Sequence, residues 1–224
     1  MKKLVSCALV LTMLLSLAAC GKKGGGFASK QKKIISAAES VCGAEEATKK
    51  QKKKLKTDDT DPTDPEYSDG VYVTFSADDI EDIDFGQKAK FDKDEINQLF
   101  FFAKSDADSQ MAFFVTYLFE MNSQDDADDL FEYSLETWGS SEKQVKKEAK
   151  NYKADYGYED DDDTLSIIMV SEDKNLAKCV YVRRDAKVVT ICVANVLMDS
   201  DLYEEVLEFY REAGFTDLEA LLDD

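Results

Sequence analysis

Two stretches of this chain each place their apolar residues on one side of a helix, and each follows a pair of apolar runs that read as strands. In the first, Ala127, Leu130, Phe131, Ser134, Leu135 and Trp138 fall at i, i+3, i+4, i+7, i+8 and i+11, a single face at 3.6 residues per turn. Ser123 is placed to cap this helix, Asp125 and Asp126 favour its positive end, and Gly139 is placed to stop it. In the second, "SDLYEEVLEFYREAG" repeats the stripe and ends at Gly214. "QLFFFAK" and "MAFFVTYLFEM", on either side of the turn-like "SDADSQ", precede the first helix; the hairpin pattern "AKCVYVRRDAKVVTICVANV" precedes the second. A shift of 75 residues lays Ala127 on Leu202, Phe131 on Val206, Leu135 on Tyr210, Trp138 on Ala213 and Gly139 on Gly214. The expected class is therefore α+β, an antiparallel sheet with helices packed on one face. Its two strand–strand–helix units are either an old duplication or two solutions to one packing problem.

The remaining segments give the boundaries. "GVYVTF" and "TLSIIMV" read as further strands, and "EDDDD" as an acidic turn. "SSEKQVKKEAKNYK" reads as an exposed helical extension. Ahead of residue 71, "KKIISAAESVCGAEEATKK" carries Ile34, Ala38, Val41 and Cys42 at helical spacing. The stretch that follows holds both prolines of the chain and changes charge sign midway, as a linker does. The expected division is a leader over 1–19, a tether with a short amphipathic helix and charged linker over 20–70, and a globular domain over 71–224.

Residues 1–20 have the layout of an export signal: Lys2 and Lys3, an apolar stretch of 14 residues from Leu4 to Leu17, then Ala18 and Ala19. That stretch is shorter than the roughly 20 residues a spanning helix needs. "LAAC" followed by Gly21 resembles the lipobox of bacterial lipoproteins. The resemblance covers the first 21 residues and implies cleavage before Cys20, lipidation of Cys20 and an anchored, extracytoplasmic protein. Several acyl chains, at about 0.8 kcal/mol per buried CH₂, would hold it stably. The resemblance implies nothing about the globular domain.

Charge divides at the linker. Residues 1–57 hold 13 Lys against 3 Glu, whereas 58–224 hold 15 Lys and Arg against 44 Asp and Glu. The basic block suits either an anionic membrane surface or a solvated tether. The acidic remainder repels phosphate backbones, so nucleic acid is not an expected partner.

The chain has no histidine, which removes Ser-His and Cys-His catalysis and His-ligated zinc. It has no GxGxxG or GxxxxGK phosphate cradle, and neither Gly70 nor Gly86 sits where an EF-hand loop needs its glycine. No catalytic residue, metal site or cofactor is expected. Glu159–Asp163 reads as a self-repelling solvated turn in preference to a weak calcium site. Trp138 reads as core. The aromatic hairpin, Phe100–Phe102 with Phe113, Phe114, Tyr117 and Phe119, must send alternate rings to opposite faces. Its second face is covered by a loop or by the N-terminal helix, or else offers a binding surface.

Cys7 falls in the leader and Cys20 in the lipobox, which leaves Cys42, Cys179 and Cys192. A turn centred on Asp185 and Ala186 would set Cys179 opposite Cys192, with Val180 and Val182 meeting Ile191 and Val189 on the other face. The pair is then either a disulfide, permitted outside the cytoplasm, or two reduced thiols acting as small hydrophobes.

The function class that fits is a membrane-anchored binding or accessory domain, its partner an envelope protein or a small ligand. The alternatives are a carboxylate-dependent hydrolase and an acidic cation-binding surface protein. An aromatic patch would favour binding, and a cleft with two converging carboxylates would favour chemistry.

Overall fold

The computed structural model describes residues 26–57, 67–83, 92–106, 109–138 and 141–222. Within them one sheet contains β1 (Glu45–Glu46), β2 (Val71–Ser76), β3 (Ile96–Asp106), β4 (Ser109–Met121), β5 (Asp155–Asp160), β6 (Thr164–Ser171), β7 (Leu176–Asp185) and β8 (Val188–Leu197). The spatial order is β1-β2-β3-β4-β8-β7-β6-β5. Every pairing is antiparallel except the short β1–β2 contact. The helices are α1 (Phe27–Ser40), α2 (Lys49–Thr57), α3 (Ala77–Ile80), α4 (Gln124–Trp138), α5 (Glu142–Tyr152) and α6 (Asp201–Ala213). The protein is an α+β fold in which the two expected hairpins meet at β4 and β8.

Local chemistry accounts for the helix ends. The Asp126 amide donates to Ser123 Oγ (3.0 Å) while the Ser123 amide donates to Asp126 Oδ2 (2.9 Å), a reciprocal cap for α4. Gly214 takes φ 74° at the end of α6, and the Phe215 amide reaches back to the Tyr210 carbonyl. Gly139 lies outside the described residues. β5 was not expected, because "DYGYED" lacks an apolar alternation; its one buried residue is Gly157. A Cβ there would lie 2.3 Å from the Leu221 carbonyl oxygen, so only glycine lets the C-terminal turn close over this edge.

The expectation of helices on one face is corrected: both faces are covered. Face 1 carries Val73, Phe75, Leu99, Phe101, Phe119, Val180, Val182, Val189 and Ile191 under Leu55 of α2, Ile80 of α3, Leu130 and Phe131 of α4, and Val145 and Ala149 of α5. Face 2 carries Phe100, Phe102, Phe114, Leu118, Cys179, Cys192 and Ala194 under Ile34, Ala37 and Ala38 of α1 and Leu202, Val206, Phe209 and Tyr210 of α6. The reason is visible in strand composition. A sheet wetted on one side alternates apolar and polar residues, whereas "LFFFA", "IIMV" and "ICVA" run apolar without interruption.

The domain boundary moves with it. Ile34 and Ala38 are 1% and 0% exposed and pack with α6, so α1 is part of the core and not of a tether. The residues 20–25 and the prolines of the linker lie outside the described residues. The repeat idea also changes. Two copies of one unit, joined antiparallel at β4 and β8, would be related by rotation about an axis through the sheet and would keep their helices on the same face. With α4 on face 1 and α6 on face 2, the units have opposite handedness, and the 75-residue echo reflects shared packing periodicity.

The last hairpin turns one residue later than expected, at Ala186 and Lys187, with Ala186 at φ 52°. Val180 faces Val193 in place of Ile191, Val182 faces Ile191 in place of Val189, Cys179 faces Ala194 and Cys192 faces Tyr181. The register shift is two residues, which leaves every side chain on its own face; the apolar pattern therefore cannot distinguish the two alignments. The observed register brings Asp185 into the strand, where its carboxylate meets Lys30 Nζ at 2.7 Å.

Candidate functional site

Face 1 is not sealed at one end. α4 lies over β4, β8 and β7 and stops at Trp138, whereas α5 lies over β5 and β6. Between these two helices lies a cleft of about 270 Å³. Phe113 of β4, Met169 of β6, Leu176 of β7 and Val193 of β8 form its floor; Trp138 and Tyr152 form its walls. Trp138 continues the apolar stripe of α4 yet is only half-buried, as the last residue of the helix and a lining residue of the cleft. Tyr152, 43% exposed, is the one large hydrophobic side chain exposed among the described residues. It is held in place: Lys174 Nζ stands 3.9 Å from its ring centroid, and Ser171 Oγ donates to its carbonyl at 2.9 Å. Glu148, one turn before Tyr152 on α5, pairs with Lys178 of β7 at 3.4 Å on the rim. An apolar, partly aromatic interior with one ion pair at its edge binds apolar groups and orients them by the polar end. Glu148 is the only carboxylate in the lining, so the cleft does not bring together the pair that acid–base chemistry on carboxylates uses.

The other sequence-derived candidates divide as follows. Cys20, the expected lipidation residue, and Cys7 lie outside the described residues. Cys179 and Cys192 are free, as is Cys42; the expected direct opposition of the first two is corrected with the register, and of the two readings of the pair the reduced thiols stand. Burial raises the Cys42 thiol to about 12, raises Cys179 further, and raises Cys192 to about 12 although the Thr116 hydroxyl donates to its Sγ at 3.2 Å. At neutral pH these thiols are protonated and fill space on face 2. The acidic turn is tied up locally. Arg184 Nε and Nη2 donate to Asp163 Oδ1 at 3.1 and 2.7 Å, and the Asp163 amide donates to Asp161 Oδ1. Among the described residues no group of three or more His, Cys, Asp and Glu side chains is placed to hold a metal ion.

The aromatic hairpin divides as alternation requires. Phe102 and Phe114 interlock with Phe209 at centroid separations of 5.4 and 4.7 Å on face 2. On face 1, Phe101 packs against Tyr117 at 5.3 Å, and Phe113 reaches the cleft. Sequence reasoning assigned Trp138 to the core and passed over Tyr152, Met169 and Leu176. The available signal was the i, i+4 pair Glu148 and Tyr152, an aromatic on the otherwise lysine-rich α5. No protein-family model matches this chain, and no curated protein matches it.

Proposed function

We propose that this protein is a membrane-anchored extracytoplasmic lipoprotein whose domain binds, without chemistry of its own, a ligand that presents a small apolar group to the cleft beside Trp138. The observation that carries the reading is that cleft, an aromatic-lined apolar opening over a sheet whose two faces both carry helices. At about 270 Å³ it is near the lower end of the range for drug-sized ligands, about 300–1,000 Å³. It suits one apolar side chain of a partner or a small amphipathic molecule. The anchor rests on "LAAC" and Gly21.

Trp138 is the single tryptophan of the chain, so its emission reports the cleft directly. Titration with 8-anilinonaphthalene-1-sulfonate is expected to quench and blue-shift that emission saturably, and Tyr152→Ala to weaken binding by about tenfold, the scale of one lost aromatic contact. An unsaturable response, or one unchanged in Tyr152→Ala, overturns the cleft as a binding site. For the anchor, Cys20→Ala is expected to release the protein from membranes or leave an unprocessed precursor. A Cys20→Ala protein processed and retained as before, with no lipid at its mature N-terminus, overturns the lipoprotein reading.

A further inference from the structure

Face 2 has its own opening, unlike the cleft in chemistry. A cavity of about 180 Å³ lies between the first turns of α1, the end of α6 and the β7–β8 turn. Its lining includes Lys30, Lys33 and Arg183 against one acid, Asp185. This is a cationic hollow that two lysines of the basic segment 1–57 form with Arg183 of the acidic remainder, whose residues 58–224 carry 44 acidic against 15 basic side chains.

The charges inside are unevenly matched. Asp185 Oδ2 lies 2.7 Å from Lys30 Nζ and 3.7 Å from Arg183 Nε, so one carboxylate serves two cations. Arg183 Nε is buried without a hydrogen-bond partner, although the residue remains half-buried overall. Such an atom costs free energy unless something accepts from it. Lys33 extends from α1 over Gly214, where an added Cβ would lie 3.8 Å from its ammonium. The wall is rigid: Tyr181 stacks on Phe215 at 4.4 Å between centroids. Three cations and one carboxylate leave a formal surplus of two positive charges. A phosphate monoester carries about −1.5 to −2 at neutral pH and offers several acceptor oxygens, whereas a carboxylate would leave the surplus half-neutralised.

Position adds the source. Cys20 precedes Gly26 by six residues, and an extended chain spans at most about 3.3–3.6 Å per residue, roughly 20 Å here. If Cys20 carries the lipid, as the lipoprotein reading on which this point rests requires, the pocket at the start of α1 lies within reach of the bilayer surface. Lys22 and Lys23 fall between them. We propose that the Lys30–Lys33–Arg183 pocket binds a phosphate group, and that in the anchored protein this is the phosphate of a phospholipid headgroup. Held there, the acidic domain would meet an anionic membrane by this basic hollow, with the apolar cleft on the opposite face turned toward the periplasmic or external medium. Asp185 acts as the internal competitor that weakens the site.

The test uses the full chain in detergent micelles, titrated with inorganic phosphate and followed by calorimetry. Binding is expected to weaken by about tenfold or more in a Lys33→Ala, Arg183→Ala double variant, as loss of charge-assisted contacts implies. It is expected to tighten in Asp185→Asn and to stay unchanged in Lys52→Ala, a cation of face 1 outside the pocket. Circular dichroism checks that each variant is folded. A second arm places the chain in vesicles of phosphatidylglycerol and phosphatidylcholine, or of a galactosyl diacylglycerol without phosphate, and measures acetylation of Lys33 by mass spectrometry. Protection in the phospholipid vesicles alone supports the headgroup. Phosphate binding in micelles with equal acetylation in both vesicles overturns the headgroup as the source and assigns the pocket to a soluble phosphate compound. No phosphate binding at concentrations on the order of 10 mM, or binding unaltered in the double variant, overturns the pocket. The micelle arm does not depend on acylation, so failure of the anchor and failure of the pocket remain distinguishable.

Discussion

The two faces of the sheet are built from the same strands but finished differently. Face 2 is closed by α1 and α6 over a knot of rings, Phe102, Phe114, Phe209, Tyr210 and Phe215, with Phe102, Phe114, Phe209 and Tyr210 fully buried. Face 1 is closed by four helices, α2 to α5, and keeps Trp138 and Tyr152 beside a cleft. Both faces are apolar, so hydrophobicity does not separate core from site here. Closure does. Where helices pack over the sheet, an aromatic side chain adds stability; where a cleft is left between them, the same kind of side chain is free to bind something else.

The largest way to test this contrast is to remove the cover of face 2. Deleting residues 27–44 would expose Phe100, Phe102, Phe114 and Leu118, and the shortened domain is expected to lose its near-ultraviolet circular dichroism altogether. A native-like spectrum from that protein would mean that α1 is peripheral and that the faces are not equivalent partners in the core. A smaller effect separates the aromatic side chains themselves. Phe209→Ala removes a ring packed on every side and should cost about 3–5 kcal/mol in urea denaturation. Trp138→Ala removes a half-buried ring from the cleft wall and should cost about 1–2 kcal/mol. Equal losses would show that Trp138 is core and the cleft a packing defect.

The smallest effect concerns acid stability. Asp79, on α3 on the face 1 side, accepts from Lys52 (2.7 Å) and pairs with Lys56 (2.6 Å), and these contacts hold its carboxyl well below the ordinary value. Its folded value is depressed, so the stability it contributes is present above the unfolded value near 4 and is lost as pH falls toward the folded value. Asp79→Asn should therefore lower stability modestly at pH 7 and flatten the decline below pH 4. A decline of unchanged steepness would assign it to other carboxylates. Face 2, held mainly by rings, gives no such acid-sensitive contribution through Phe209, so the pH dependence of Phe209→Ala should parallel that of the parent.

Much of the fold was legible because periodicity is a local property. The stripe from Ala127 to Trp138, the Ser123 cap, the Gly214 stop and the apolar hairpins all follow from residues within a few positions of one another. The candidate site was less legible. Trp138 belongs to its stripe by spacing, and nothing in that spacing says that a cleft opens beside the last residue of the helix. Tyr152 and Leu176 lie 24 positions apart, and Phe113 and Met169 lie 56 apart, so the cleft exists only through the strand order that brings β4, β6, β7 and β8 under two helices.

By itself the sequence determined the main hairpins and the one-faced helices, the alternation of strand side chains between two sides, and the absence of imidazole chemistry. It also determined the lipobox-like start, whose consequences await the Cys20 experiment. Tertiary structure alone decided three things. The register of β7 on β8 differs by two residues from the turn-based expectation, because side chains alternate with a period of two and either alignment buries the same residues. The faces chosen by α4 and α6 are opposite, because a one-sided helix fits any apolar surface and this sheet offers two. And α1 joined the core instead of the tether, because the uninterrupted apolar runs of the central strands needed a second cover that only distant segments of the chain could supply.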